Sequence, residues 1–194
     1  MSVLSDWYGW DRIRDLEFDL EHPLIAISLG AGVQSTYMYL QACRGGFLDY
    51  GPKPHVAIFA DPQAELAGTY RHLDWLEREF SAEIPILRVT SGSLEKNLYW
   101  GGEGRKGAAQ IPVFLSGDDG RGIGLRQCTA DFKLRPIQRA CRDLLGLEPG
   151  ERAAGRYRVE QWIGISTDEA HRAKPSDVSW VERRYPLLFD RPTR

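Results

Sequence analysis

Hydrophobic residues along the chain fall in short blocks separated by turns rich in glycine and proline. Leu24-Ile25-Ala26-Ile27-Ser28 is apolar without alternation, the pattern of a strand buried on both faces of a parallel sheet. The block breaks at Leu29-Gly30-Ala31-Gly32. Residues 33–44 then run without Gly or Pro to Gly45-Gly46, which predicts a helix with a glycine stop. A second strand is predicted over 56–60, closing at Asp61-Pro62. Leu66, Tyr70, Leu73, Leu76 and Phe80 recur at spacings of three and four, so 66–80 is expected as an amphipathic helix with its stripe on the sheet. Ile86-Leu87-Arg88-Val89-Thr90 follows as a third strand.

Strands joined by segments of helix length favour parallel pairing and right-handed crossovers, so the expected fold class is α/β, a parallel sheet flanked by helices. Between Gly101 and Gly124 eight glycines surround one apolar run, Ile111 to Leu115, which reads as a loop bracketing a short edge element. A further helix is expected over 136–145, with Pro136 in its first turn. Val159 to Ser166 reads as another strand and Tyr185 to Phe189 as a last one. There is no internal repeat. A lead-in over 1–23 and a single domain over 24–194 describe the organisation.

Length and composition narrow the class. With 194 residues, 42% of them hydrophobic, and a formal net charge of -2, the chain is expected to bury roughly 70% of its unfolded surface. No apolar run approaches the roughly 18 residues of a membrane span, and residues 1–14 alternate charge with aromatics, so the expectation is a cytoplasmic protein without membrane contact. Cys43, Cys128 and Cys141 form no Cys-x-x-Cys and cannot alone build a disulfide framework or a zinc site. The charge is uneven: residues 121–158 carry nine Lys and Arg against four Asp and Glu. Such a stretch is either a solvated helix face or a wall facing a polyanion.

Candidate chemistry concentrates after the first strand, because open parallel sheets bind ligands beyond the carboxyl ends of their strands. The turn reads Ser28-Leu29-Gly30-Ala31-Gly32-Val33-Gln34-Ser35-Thr36. Two glycines let the backbone approach an anion, and the following helix aims unpaired N–H groups at it. No Lys precedes Ser35-Thr36, so this is not a Walker loop, and Ser35 stands where a dinucleotide fingerprint has its third small residue.

Gly32-Val33-Gln34 after an apolar strand, Asp61 at the end of the second, and Thr69-Tyr70-Arg71 with Asp74 on the next helix are followed by Lys133-Leu134-Arg135-Pro136 with Arg139. Trp162-x-Gly164 with Glu169 and Arg172 completes the series. In order and spacing these motifs, over roughly 24–175, resemble the PP-loop family in its phosphoadenosine-phosphosulfate (PAPS) reductase branch. The resemblance implies a Rossmann-like, HUP-type sheet, an adenine nucleotide such as ATP as ligand, and Mg²⁺ as its companion. It implies that the backbone N–H groups from Gly30 to Ser35, through Ala31, Gly32 and Gln34, hold the phosphates with the Ser35 and Thr36 hydroxyls, and that Ser28, Gly164 and Glu169 also line the nucleotide site. Asp61 would stand near the ribose or the Mg²⁺, and Lys133 and Arg172 would neutralise charge developing on phosphate oxygens. Read from its own residues, Asp61 also fits a turn cap before Pro62, and Lys133 and Arg172 fit solvated surface charges.

Departures from the family pattern keep the activity open. Gly30, Ala31 and Gln34 stand where PP-loop pyrophosphatases show Ser, Gly and Asp, and Ile165-Ser166-Thr167-Asp168 stands where the reductases are rich in arginine. No Cys follows Cys141, so the reductases' C-terminal nucleophile has no counterpart here. Cys128 is either an inert thiol or one iron–sulfur ligand needing cysteines from elsewhere; Cys43 and Cys141 are expected in the core. The leading expectation is ATP cleavage between the α and β phosphates with adenylation of an acceptor. The alternatives are a sulfonucleotide reductase needing a Cys from another chain, and a nucleotide-sensing or partner-binding protein without chemistry. A dinucleotide oxidoreductase fits less well, since Asp61 comes 31 residues after Gly30. The acceptor stays open, with nucleic acid suited to the basic stretch, as does assembly with a second copy or a partner subunit.

Overall fold

The structure, a computed structural model, describes Trp7 and residues 9–96, 114–117, 120–123 and 129–189. Five parallel strands form the main sheet: β1 (Leu24–Ser28), β2 (Val56–Asp61), β3 (Ile86–Thr90), β6 (Val159–Ile163) and β7 (Val181–Arg184), in spatial order β3-β2-β1-β6-β7. Helices α1 (Val33–Cys43), α2 (Ala67–Phe80), α3 (Arg135–Leu144) and the single turn α4 (Pro186–Phe189) complete the chain course. This is the expected Rossmann-like α/β fold.

The unbroken apolar strands serve two cores. Leu24 and Ala26 of β1 pack with Ile137, Ala140, Cys141 and Leu144 of α3 on one face. Ile25 and Ile27 pack with Met38, Tyr39 and Ala42 of α1 and with Leu73 and Leu76 of α2 on the other. Each Leu, Ile or Met among them contributes about 1.5–3 kcal/mol on burial, so the sheet is held from both sides. α1 ends as its glycines require: Gly45 takes φ +77°, and the Gly46 N–H donates to the Gln41 carbonyl at 2.8 Å.

Several expectations are corrected. The stripe of α2 begins at Tyr70, because Leu66 precedes the first turn and is 80% exposed. Phe114–Gly117 (β4) pairs antiparallel with Gly120–Ile123 (β5) in a separate two-stranded sheet instead of adding an edge to the main one; residues 111–113 of the expected element lie outside the described ones. The helix of 136–145 is preceded by a π-helical turn, Ala130–Leu134, in which the Arg135 N–H donates to the Ala130 carbonyl. Pro136 has no N–H for the next i−4 bond, and the wider turn accommodates that loss. β6 stops at Ile163, and a 3-10 turn, Thr167–Arg172, follows. The last strand is Val181–Arg184, not 185–189, because Pro186 cannot donate to a ladder and opens α4 instead.

Candidate functional site

β1 lies between β2, which follows it in the chain, and β6, which returns much later, so the strand order reverses at β1/β6. In open parallel sheets such a point is where a ligand crevice is expected, beyond the carboxyl ends of the strands. Ser28, the last residue of β1, pairs with Ile58 on one side and Ile163 on the other and carries the chain into the glycine turn.

Ala31 adopts φ +53°, a left-handed conformation that costs a residue with a Cβ about 1–2 kcal/mol. Gly32 then caps α1 with extended backbone and no side chain of its own to bond the first-turn N–H groups, and a Cβ built there meets nothing within 4 Å. α1 carries no charged side chain. The N–H groups of Val33, Gln34 and Ser35 therefore have no acceptor among the described residues, and the space beside Gly32 is open. The Ser35 hydroxyl ties the turn together, accepting from the Gly30 N–H and donating to the Gly32 carbonyl, each at 3.2 Å. Thr36 Oγ1 lies 3.1 Å from Nε2 of His72 on α2.

The opposite wall is fitted to this turn. A Cβ on Gly164 would come within 2.8 Å of the Ser35 nitrogen and 2.9 Å of the Gln34 carbonyl carbon, so the chain just after β6 approaches the backbone of α1 this closely because residue 164 is a glycine. Gln34 Nε2 donates to Ser166 Oγ at 3.4 Å and to Glu169 Oε2 at 3.3 Å, and Glu169 Oε1 pairs with Arg172. The Ser166 hydroxyl, ahead of backbone hydrogen bonding, holds the exposed Asp168 carboxyl below the usual range. Gln34, Gly164, Glu169 and Arg172 thus join in one wall, and Arg172 is already matched by a carboxylate.

Asp61 and Lys133 occupy the neighbouring rim. Asp61 Oδ1 accepts from the Tyr70 hydroxyl at 2.8 Å and from the Gln63 N–H at 2.7 Å, so the turn-cap role is present in the structure; the second oxygen has no partner among the described residues. Burial first, and then the hydrogen bond to Asp61, raise the Tyr70 phenol, which stays a donor. Lys133, half exposed on the π-helical turn, pairs with Glu65 at 3.4 Å in the loop between β2 and α2. Among the described residues no hydrogen bond or ion pair links Lys133 to the glycine turn or to Arg172.

Other candidates lie elsewhere. Asp74 pairs with Arg88 of β3 at 2.6 Å, and Arg139 lines a groove of about 260 Å³ between β3 and α3. Burial pushes the thiols of Cys43 to about 11 and Cys141 to about 12, so both are neutral core groups. Cys128 lies outside the described residues. Sequence reasoning missed Glu65 and His72, whose partners come from other elements; nothing in their own spacing pointed to them. Among the described residues no three His, Cys, Asp or Glu side chains gather as a metal site, and no helix is long and apolar enough to cross a membrane.

No family model and no curated protein matches the sequence. Among solved structures, the chain is similar to a phosphoadenylyl-sulfate (PAPS) reductase from Candida auris in a phosphate complex, at 14% identity and a TM-score of 0.48, over 95% of this chain and 74% of that one.

Proposed function

We propose that the chain binds an adenine nucleotide by its phosphates in the β1/β6 crevice and splits ATP between the α and β phosphates, adenylating an acceptor. The observation that carries the reading is the uncharged start of α1, whose first-turn N–H groups have no acceptor among the described residues, beside open space at Gly32 and at the point where the strand order reverses. The motif order that resembles the PP-loop family supplies the choice of nucleotide and of bond.

In this reading the backbone of Gly30 to Ser35 holds phosphate oxygens, Arg172 exchanges Glu169 for phosphate, and Lys133 exchanges Glu65. A bound Mg²⁺ would shield phosphate charge and orient the leaving pyrophosphate. Mg²⁺ characteristically takes one or two carboxylates together with substrate phosphates. The Asp61 oxygen that has no partner among the described residues fits that donor set. The acceptor attacks the α phosphorus, its bond forms as the α–β bridge breaks, and pyrophosphate leaves.

A second reading, a nucleotide sensor without chemistry, is favoured by the two candidate cations, each already matched by a carboxylate. Product analysis separates them. AMP or an AMP adduct with pyrophosphate supports the enzyme, nucleotide binding without turnover with any acceptor supports the sensor, and NAD binding without ATP binding ends both. The described thiols favour no reductase: Cys43 and Cys141 are buried and protonated.

A further inference from the structure

The site has one histidine at its back whose role is unassigned. His72 Nε2 stands 3.1 Å from Thr36 Oγ1, and its ring stacks on Trp75 with centroids 5.6 Å apart and planes 23° from parallel. Thr36 follows Gly32 by one helical turn, its N–H donating to the Gly32 carbonyl at 2.9 Å. Side chains lean towards the start of a helix, so the Thr36 hydroxyl lies over the turn that holds Gly32.

A hydroxyl has one proton to give. When Nε2 is bare it accepts that proton, and Thr36 has none for an anion. When Nε2 carries hydrogen, His72 donates and the Thr36 proton is free to turn to a phosphate oxygen. A neutral ring takes either form, whereas imidazolium permits only the second and adds positive charge behind the hydroxyl. Among the described residues no carboxylate pairs with His72. α1 offers only Tyr37, Tyr39 and Cys43 as titratable groups; Tyr39 donates to the Ile84 carbonyl, and burial raises the Cys43 thiol to about 11. On α2 the positions three and four away are Gly68, Thr69, Trp75 and Leu76, adjacent Arg71 is exposed, and Asp74 is paired with Arg88. The one histidine–carboxylate salt bridge among the described residues is His22 with Asp19, and His171 on the Thr167–Arg172 turn acts on Asp168.

The geometry points to His72 as a positioning residue that acts through Thr36: it sets whether the glycine turn offers a hydroxyl proton to a tetrahedral oxyanion, and it couples anion binding to proton uptake. The inference rests on the nucleotide reading above.

Sulfate is a suitable probe because its charge is constant across the range of about pH 5 to 8 in which imidazole titrates. Calorimetry on the whole chain in buffers of different ionisation enthalpy is expected to show sulfate binding at least about fivefold tighter at the acidic end, with protons taken up. His72→Phe retains an aromatic ring against Trp75 and should lose this excess pH dependence, as should Thr36→Val. The two together should weaken binding no more than either alone. His72→Gln, whose amide nitrogen reaches the same place, should restore binding at a level independent of pH. A folded His72→Phe protein with the wild-type pH slope overturns the role of His72. So does a flat wild-type slope in a protein that ATP still stabilises at neutral pH, and there the nucleotide reading survives. If neither ATP nor sulfate binds, both fall.

Discussion

The crevice between β1 and β6 and the rim beyond β2 stand at the same end of one sheet, yet they hold their polar groups in opposite ways. In the crevice, the first-turn N–H groups of α1 have no acceptor among the described residues, the space beside Gly32 is open, and the helix carries no charged residue. On the rim each charged group is engaged by a neighbour, Asp61 by Tyr70 and Gln63, Lys133 by Glu65. The difference separates two tasks. Fixed backbone dipoles are organised before an anion arrives and cost no rearrangement when it does. A side-chain cation must change partners, and since an exposed ion pair is worth at most about 1 kcal/mol, that exchange is easy. The crevice is therefore expected to supply affinity and the rim to respond to the reaction.

The largest expected effect comes from closing the contact between the walls. Gly164→Val would drive a branched side chain into the backbone of Gln34 and Ser35, a clash costing about 1–3 kcal/mol or more. Chemical denaturation should show that loss, and ATP should no longer stabilise the variant. Wild-type stability and ATP response would mean that the walls do not meet as described.

Lys133→Ala breaks the rim while leaving the crevice intact. If Lys133 turns from Glu65 to phosphate as charge develops, turnover should fall on the order of 10²-fold with little change in ATP affinity. Equal rates in both proteins would return Lys133 to the role of a surface ion pair.

Glu169→Gln frees Arg172 on the crevice wall and retains an acceptor for Gln34. ATP affinity, measured by calorimetry, should rise by a few-fold, the scale of an exposed pair. Unchanged affinity would exclude Arg172 from the phosphates. The smallest effect is expected at Ala31, whose left-handed φ of +53° favours glycine. Ala31→Gly should leave ATP binding unaltered and raise unfolding free energy by about 1 kcal/mol or less, because relief of the strain is partly offset by the entropy of glycine.

The crevice was more legible in the sequence than the rim, for a physical reason. Leu24 to Ser28, the glycines after them and the glycine stop of α1 act through backbone conformation and local burial, which residue type and spacing reveal. Glu65 and His72 matter through partners on other elements, Lys133 and Thr36, and no local pattern marks such pairs. Gly164 was visible as a glycine, but its reason, the backbone of α1 against it, is tertiary. Pro136 marked the first turn of α3 and hid the π-helical turn before it, while the apolar Tyr185 to Phe189 looked like a strand until Pro186 began a helix there.

The central claim, that the glycine turn holds nucleotide phosphates, is tested most directly by titrating ATP into wild type and Gly32→Val and following the melting temperature. φ is −88° at Gly32 and a Cβ there meets nothing within 4 Å, so the valine protein should fold, with at most about 1 kcal/mol lost at the helix cap. Wild type should melt at rising temperature as ATP is added. The folded variant should not respond, because its side chain fills the space where phosphate would lie. An equal ATP response in both proteins, or a response of wild type to NAD but not to ATP, would contradict the account.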